Sequence, residues 1–350
     1  MSQRAVAPSQ TPGQQTGQRT EPREVQRVGA GVSGAQAMAA GSSSFAAAVR
    51  LLDASTREST VMLYAWCRHC DDTIDGQHLG HRTHVNPNAH AVASIDSIER
   101  LGQLEHATKM ACEGRPSSDP VFTGLAEVVQ RHQLPIELLQ EHLAGFRMDV
   151  EQVRYQSLED TLVYCHRVAG VVGLMMGRVM GAREEATLAG ARDLGIAFQL
   201  SNIARDVIED AAVGRVYLPA AWLAEADIAP ETVHRLECRE ALATVASRLV
   251  DAAEPYYASA LRGIEALPLR NAWSVATARD IYRAIGRKVK QRGARAWDVR
   301  TRTSSFEKVK LTARGAGVAL VTKAMGIWPR KDSAGSTGGG GSTRDAGSAR

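Results

Sequence analysis

The stretch Gln199-Leu-Ser-Asn-Ile-Ala-Arg-Asp-Val-Ile-Glu-Asp210 decides the fold. Its polar residues recur at i, i+3, i+7 and i+11, and at about 100° per residue they share an arc of roughly 80° on a helix. This stripe consists of Gln199, Asn202, Asp206 and Asp210. The residues beside it are apolar, namely Ile196, Leu200, Ile203 and Val207. The spacing therefore predicts a helix whose polar stripe borders a buried face instead of open water.

A second helix with the same character is predicted upstream. The apolar run Val61-Met-Leu-Tyr-Ala-Trp66 continues into a polar set spaced i, i+3, i+4 and i+7, which is Arg68, Asp71, Asp72 and Asp75. At that spacing all four side chains share one helix face. The chain thus carries two stripes rich in carboxylates, which we interpret as facing one cavity.

Neighbouring carboxylates on a helix need a neutralising partner. Like charges one turn apart repel each other and resist burial unless something compensates them. Carboxylate and amide oxygens, without thiolates or imidazoles, are the ligands that suit Mg²⁺. For either stripe alone, a solvated or N-capping acidic patch remains the alternative.

The rest of the chain predicts an all-α protein with one domain at residues 36–330. Almost every segment has the 3.6-residue apolar rhythm, and strand-like alternation is rare. Glycine and proline divide the domain into helices without a long linker, at residues 114–120, Pro135, residues 214–219, Pro230 and Pro268. Residues 1–35 and 331–350 have a biased composition without a period, which predicts disordered tails.

Composition argues against several classes of protein. The net charge of +4, from 42 basic and 38 acidic residues, is too small to indicate a nucleic-acid partner. Five cysteines without framework spacing argue against a disulfide-rich secreted fold and favour a reducing cytoplasm. No apolar run reaches the roughly 18–20 uncharged residues that span a bilayer. The longest, at residues 168–182, is interrupted by Arg178 and predicts a buried helix.

Three local patterns carry little weight. Gly29-Ala-Gly-Val-Ser-Gly34 matches a dinucleotide motif, but no hydrophobic strand precedes it. Cys67-Arg-His-Cys70 matches CxxC, but no second pair and no βαβ pattern accompany it. The imidazoles of His78, His81 and His84 could hold zinc or nickel, yet a solvated surface loop is the favoured interpretation because nothing nearby supplies supporting hydrogen bonds.

The two acidic segments, at residues 64–75 and 199–210, closely resemble the two aspartate motifs of the squalene/phytoene synthase family. The similarity covers roughly residues 38–315 and includes Tyr164-Cys-His-Arg-Val-Ala-Gly-Val-Val-Gly173, Gly214-Arg-Val-Tyr-Leu-Pro219 and Ser42-Ser-Ser-Phe45. Within the family, Gly145-Phe-Arg-Met-Asp149 and residues 155–176 are most similar to the bacterial phytoene synthases. Gly41, where relatives often carry His, and residues 78–91 depart from the pattern.

The resemblance implies an isoprenoid-synthase-type helical bundle around a central cavity and a defined reaction. Two geranylgeranyl diphosphates condense head to head through a cyclopropylcarbinyl diphosphate to phytoene, with release of two pyrophosphates, in carotenoid biosynthesis. Mg²⁺ is the expected cofactor and Mn²⁺ its expected substitute. NADPH is not expected, because the final cation loses a proton instead of accepting hydride. The alternatives are a squalene or dehydrosqualene synthase acting on farnesyl diphosphate, a head-to-tail chain elongase, and a non-catalytic assembly or binding protein on the same fold.

The same resemblance implies roles for individual residues. The expected metal ligands are Asp71, Asp75, Asn202, Asp206 and Asp210. The residues expected to bind the substrate diphosphates are Ser42, Ser44, Arg68, Gln199, Asn202, Arg205 and Tyr282. Tyr164 is expected to handle the cation or a proton during rearrangement, with a buried core tyrosine as the alternative. For Arg205 the alternative is an i,i+4 ion pair with Glu209.

Two further features bear on packing and partners. Glycines recur at i, i+3, i+7 and i+11 at Gly170, Gly173, Gly177 and Gly181, which predicts close helix packing, with a prenyl chain along this face as the alternative. Residues 279–314 contain 12 basic and three acidic side chains. They favour a solvated face or peripheral contact with anionic lipid over nucleic acid. Tyr282, Arg300 and Lys310 lie near positions where relatives close the diphosphate site. We therefore expect a cytoplasmic protein with peripheral contact at the inner face of the membrane, for release of its product.

Overall fold

The structure is a computed structural model that describes Met38 and residues 43–75, 77–78, 81–82 and 90–327. The predicted tails, the Gly29–Gly34 motif and His84 lie outside these residues. Within them the chain is almost entirely helical, as predicted. The α-helices are α1 (Ser43–Val49), α2 (Ala54–Asp75), α3 (His90–Cys112), α4 (Pro120–His132), α5 (Ile136–Val150), α6 (Leu158–Cys165), α7 (Val171–Val179), α8 (Glu185–Ala211), α9 (Ala220–Glu225), α10 (Arg239–Ile264), α11 (Leu269–Arg292) and α12 (Ser305–Ile327).

Proline and glycine set the helix boundaries much as the sequence predicts. Gly114, with a φ of 70°, follows α3, and Pro120 opens α4 behind Asp119, whose side chain accepts a hydrogen bond from the Val121 amide. Gly214, with a φ of 82°, follows α8. One proline, Pro255, lies inside α10, where the sequence predicted no break.

A small two-stranded hairpin is the one departure from an all-helical chain among the described residues. Strand β1 (Gln77–His78) pairs in antiparallel fashion with β2 (His81–Arg82). The sequence predicted a loop here. The side chains of these four residues are not described, so the metal hypothesis for the histidines stays a prediction.

Helix α8 is the central element of the bundle. It packs against α7, α10 and α11, and against a π-helical turn at His166–Gly170 that joins α6 to α7. The apolar residues predicted to flank its polar stripe are all buried, namely Ile196, Leu200, Ile203 and Val207. The stripe therefore borders a packed face, as its spacing indicates.

The glycine stripe permits this close packing. A Cβ atom on Gly173 would lie 2.1 Å from the backbone oxygen of Ala191, and one on Gly195 would lie 2.1 Å from that of Ala169. Any larger residue would force the helices apart. Gly181 differs, because it has open space and a φ of 93°, so it ends α7 instead of packing against α8.

One helical run among the described residues, Leu158–Val179, is long and apolar enough by length and composition alone to cross a membrane. It comprises α6, the π-helical turn and α7, and it packs against α5 and α8. Val171, Met175 and Val179 are buried. The structure thus has a largely buried helix within residues 168–182, as predicted, but its start is the π-helical turn and it ends at Val179.

Candidate active site

A cavity of about 900 Å³ lies at the centre of the bundle. Its walls come mainly from α2, α5, α7, α8, α10 and α11 and from residues 300–302 before α12. The cavity brings together all the residues predicted to bind metal or substrate, or to act in catalysis, whose side chains are described: Arg68, Asp71, Asp75, Tyr164, Gln199, Asn202, Arg205, Asp206, Asp210 and Tyr282. Ser42 and the Ser44 side chain lie outside the described residues, so their predicted contacts stay predictions. The two acidic stripes face one cavity, as expected.

The first stripe is held by an arginine fork on α2. Arg68 donates from Nη1 to Asp71 Oδ2 at 2.7 Å and from Nη2 to Asp72 Oδ1 at 2.6 Å. Asp71 keeps 42% of its side-chain surface accessible, and it lines the cavity, whereas Asp72 is 15% accessible and is not among the lining residues. The fork therefore orients Asp71 at the cavity wall and engages Asp72 outside it.

Carboxylates in the cavity are short of positive charge. Enclosure in the protein, followed by the charge of Asp75, raises the pKa of Asp71 to about 7. Enclosure, followed by the charge of Asp206, raises the pKa of Asp210 to about 8. In both cases desolvation and a neighbouring carboxylate outweigh the arginines nearby, so the ionised form is disfavoured. A cation placed between the two stripes would compensate the ionised form.

The second stripe carries its own arginines. Arg205 donates to Asp206 from both Nε and Nη2, and Arg300 Nη2 lies 2.9 Å from Asp206 Oδ2. Glu209 lies 3.6 Å from Arg300 Nη1. Arg205 thus forms its hydrogen bonds with the adjacent carboxylate of Asp206 and not with Glu209, so the predicted alternative of an i,i+4 pair is wrong. Arg300 lines the cavity as expected.

An amide on α8 offers an unused oxygen to the cavity. Asn202 lines the cavity, and its buried Oδ1 has no hydrogen-bond partner among the described residues. A buried acceptor without a donor is costly unless a ligand or ion completes it. Asn202 is therefore suited to a cation, as predicted.

Arg215 crosses the cavity from the connection after α8 and pairs with Asp75 at the end of α2. Arg215 belongs to the motif at residues 214–219, for which no role was predicted. It lines the cavity together with both acidic stripes. A fixed guanidinium at this position can bind an anionic group as well as hold Asp75.

Tyr164 belongs to a cluster that the sequence did not reveal. Its hydroxyl donates to Asp149 Oδ2 at 3.2 Å, and the Tyr217 hydroxyl donates to Asp149 Oδ1 at 2.9 Å. The rings of Tyr164 and Tyr217 stack with centroids 4.5 Å apart, and Tyr155 packs beside them. Burial raises the pKa of Asp149 to about 6. The cluster fixes both phenols at the cavity wall.

The remainder of the cavity is apolar. Tyr282 stacks on Phe198 with centroids 4.1 Å apart and an interplanar angle of 20°. Beyond them the lining consists mainly of small and aliphatic side chains, including Met176, Met180, Leu194, Ile264 and Leu267. Such a wall excludes water and leaves room for a hydrocarbon chain.

The described thiols show no metal site or disulfide. All five cysteines are free. Burial raises the pKa of the Cys67 thiol to about 12 and that of Cys70 well above its ordinary value, so both stay protonated. No group of three or more His, Cys, Asp or Glu side chains within the described residues could by itself hold a metal ion. Any bound metal would therefore have to take part of its coordination from water or substrate.

Sequence reasoning missed three residues of the site and misplaced one. The three missed residues lie in motifs shared with the family, namely Asp149, Arg215 and Tyr217. Only Asp149 could have been suspected from the sequence, because it is an acidic residue at the end of the apolar helix α5. Their contacts join distant segments and leave no local spacing pattern. Lys310, expected near the diphosphate site, is exposed on α12 and is not among the lining residues.

Comparisons with known proteins agree with this geometry. The family model described as Squalene/phytoene synthase matches residues 38–313. The chain is 50% identical over 295 residues to a phytoene synthase of Pseudescherichia vulneris, covering 84% of this chain and 94% of the relative. It is 49% identical over 295 residues to a 15-cis-phytoene synthase of Pantoea ananas, with the same coverage.

Solved structures show the same fold. A crystal structure of a dehydrosqualene synthase matches with a TM-score of 0.73 and 25% identity, covering 85% of this chain and 99% of that one. A squalene synthase from Alicyclobacillus acidocaldarius matches with a TM-score of 0.64 and 21% identity, covering 77% of this chain and 96% of that one. With the family model covering most of the chain, and with both acidic stripes lining one cavity, the chain belongs to the squalene/phytoene synthase family.

Proposed function

We propose that this chain is a phytoene synthase that joins two geranylgeranyl diphosphates head to head. The observation that carries the proposal is that Asp71 and Asp75 on α2 and Asp206 and Asp210 on α8 line one cavity whose far wall is apolar. A charged end can hold diphosphates, and an apolar end can hold prenyl chains. The similarity to bacterial phytoene synthases over 84% of this chain selects this member of the family.

The donor set fits Mg²⁺, with Mn²⁺ as a substitute. The expected ligands are Asp71, Asp75, Asn202, Asp206 and Asp210, all of them oxygen donors at the cavity wall. The raised pKa values of Asp71 and Asp210 and the unpartnered Asn202 Oδ1 are what such a site would display without its cation. Mg²⁺ is usually held by one or two carboxylates, waters and substrate phosphates, which suits a cavity without a complete protein cage. When bound, the ions would neutralise pyrophosphate as it leaves.

Arginines at the cavity wall can also help pyrophosphate to leave. In the first half-reaction a C–O bond of one diphosphate breaks, the double bond of the second substrate attacks the allylic cation, and a proton is lost to give the cyclopropyl diphosphate. Arg68, Arg205 and Arg215 are held at the cavity wall by carboxylates, so they can stabilise the departing pyrophosphate without moving. Gln199 can donate its amide to phosphate oxygens.

In the second half-reaction the cyclopropyl diphosphate ionises, rearranges and loses a proton to form the central conjugated triene. Carbocations survive only where water is excluded, and the aliphatic wall serves that purpose. Tyr164 and Tyr217 present their stacked rings to the cavity, and Asp149 holds their hydroxyls. Their π faces can stabilise a cation passing over them. No hydride donor takes part, so NADPH is not required.

The protein would act in the cytoplasm and release its hydrocarbon at the inner face of the membrane.

Purified protein should be incubated with geranylgeranyl or farnesyl diphosphate and Mg²⁺, with and without NADPH, and the hydrocarbon identified. We expect a forty-carbon triene from geranylgeranyl diphosphate, in amounts unchanged by NADPH. A reaction that stalls at the cyclopropyl diphosphate until NADPH is added would establish the squalene-type alternative instead. Absence of turnover with every prenyl diphosphate would favour a non-catalytic relative.

A further inference from the structure

The outward face of α12 is apolar along most of its length. Eleven large hydrophobic side chains are exposed among the described residues, and five of them lie at residues 299–321. Their exposed fractions are 69% for Val299, 79% for Phe306, 68% for Val309 and 57% for both Leu320 and Val321. On a helix the last four share an arc of roughly 120° with the exposed Ala313, Gly317 and Ala324, and with one exposed basic residue, Lys310.

This face is not the one that attaches α12 to the bundle. The attachment lies on the opposite side, where Gly315 touches Thr277 closely enough that a Cβ atom would lie 2.6 Å from its hydroxyl. Trp273 of α11 also donates to the Thr312 carbonyl at 2.8 Å, and Ala319 is fully buried. The outward stripe is therefore apolar surface beyond what folding uses, and such a patch marks an interaction site.

Basic side chains lie within the stripe, at Lys310, and on either side of it, at Arg314 and Lys323. Lys310 and Lys323 have no acidic partner among the described residues, and Arg314 remains 60% exposed although it lies 3.3 Å from Asp280. The single acidic residue of α12, Glu307, is already paired with Lys288 at 2.6 Å. The sequence then continues with Trp328-Pro-Arg-Lys331. An exposed apolar stripe that carries basic side chains within it and on both sides is typical of a helix that lies in a lipid interface.

Charge argues against the other occupants of this face. The chain segments outside the described domain cannot complement it, because residues 1–37 carry four basic and two acidic side chains and residues 328–350 carry the same numbers. A second copy related by a two-fold axis would bring the basic residues Lys310, Arg314 and Lys323 towards the same basic set of its partner. Neither contact offers the negative charge that these basic residues require.

We propose that the outward face of α12 docks on membranes that contain anionic phospholipid. The apolar stripe enters the headgroup boundary, and Lys310, Arg314 and Lys323 meet the phosphates. Arg300 and Arg302 line the cavity directly before α12, so docking brings the cavity mouth to the lipid. Docking would let the protein deliver a water-insoluble hydrocarbon to the membrane. That benefit rests on the proposed function, whereas the docking surface itself does not.

Vesicle flotation tests the surface directly. The full chain is mixed with vesicles of phosphatidylcholine alone, or with vesicles in which about a third of the lipid is phosphatidylglycerol. We expect binding to the anionic vesicles that weakens in high salt. Phe306→Ser with Leu320→Ser, and separately Lys310→Glu with Lys323→Glu, should each lower this binding by about tenfold or more. The matched controls are Ile98→Ser and Lys109→Glu, exposed by 60% and 65% on α3, and they should bind like the parent chain.

Three results would overturn the proposal. One is equal binding of all variants to anionic vesicles, and another is an equal loss in the α3 controls. The third is a dimer in light scattering that the α12 variants convert to monomer, since the face would then join two copies. Thermal melting verifies that each variant is folded. Pyrophosphate release from detergent-dispersed substrate should be unchanged in the α12 variants, and its absence in the parent chain would contradict the proposed function without touching the vesicle result.

Discussion

Arg215 donates a hydrogen bond from Nη2 to Oδ1 of Asp75, a residue 140 positions earlier in the chain. The pair joins the connection after α8 to the end of α2, so it ties the two acidic helices together at the cavity. Both side chains are largely shielded, with 30% and 16% accessibility. A charge pair in such a place is costly to break from one side, because the remaining charge stays buried without a partner.

Substituting this arginine should therefore damage catalysis more than charge alone explains. We expect Arg215→Lys to lower kcat by about 10²-fold, since lysine keeps the charge but loses the planar fork that holds Asp75. Arg154→Lys is the control, because Arg154 is 71% exposed and only loosely paired with Glu231. Steady-state kinetics with thermal melting measures both. Unchanged turnover in folded Arg215→Lys would remove this residue from the active site.

The two acidic stripes should both be required for turnover. Asp71→Asn and Asp206→Asn should each lower kcat by about 10²-fold or more while leaving the fold intact, because each removes one element of a pre-organised charge array. Asp72→Asn is the matched control on the same helix, and we expect a smaller loss because Asp72 is not among the cavity-lining residues. Equal losses at Asp71 and Asp72 would contradict the geometry, and unfolding of both Asp71→Asn and Asp206→Asn would point to a structural role.

Asp149 should act through the tyrosines that it holds. We expect Asp149→Asn to lower kcat by about tenfold, as expected for loss of a charged hydrogen-bond acceptor. In a Tyr164→Phe background the same change should cost much less, because the hydrogen bond to Tyr164 is already absent. A double-mutant cycle on kcat measures this coupling. Strictly additive effects would show that Asp149 works independently of Tyr164.

Stability should fall in acid through His142. This imidazole is buried between Trp66 and Phe146, and burial lowers its pKa to about 4 from 6.5. Between these values the unfolded chain binds the proton more readily, so the contribution is complete above about pH 6.5 and is lost as the pH falls towards 4. We expect His142→Gln to flatten the pH dependence of the free energy of unfolding by up to about 3 kcal/mol. The control is His106→Gln, at an exposed position, and an equal flattening there would exclude His142 as the cause.

Removal of divalent metal should abolish turnover reversibly. We expect a chelator to stop pyrophosphate release, and Mg²⁺ or Mn²⁺ to restore it, because neutralisation of the leaving group depends on the ion. Zinc should not restore it, since the site offers oxygen ligands without thiolate or imidazole. Calorimetric titration of Mg²⁺ in the presence of inorganic pyrophosphate gives an independent measure of binding. Full activity after exhaustive chelation would contradict the metal assignment.

The sequence by itself determined the helical class, several of the helix boundaries and the two acidic faces. The spacing of Asp71 and Asp75, and of Asp206 and Asp210, sets their common face because a helix repeats every 3.6 residues. Glycine and proline fix the helix ends for equally local reasons. The close contact at Gly173 could also be predicted, because a missing side chain allows backbone approach whatever the neighbour is.

Only the tertiary structure decided which side chains meet across the cavity. Nothing in local spacing brings Arg215 to Asp75, or Tyr164 and Tyr217 to the same carboxylate of Asp149, because these contacts depend on how whole helices pack. The outward stripe of α12 was hidden for the same reason. From the sequence alone its apolar residues could equally face the core. The structure shows that Gly315 and Ala319, on the opposite side of α12, pack against the bundle. A helical repeat specifies faces, and the packing of the bundle decides which of those faces meet.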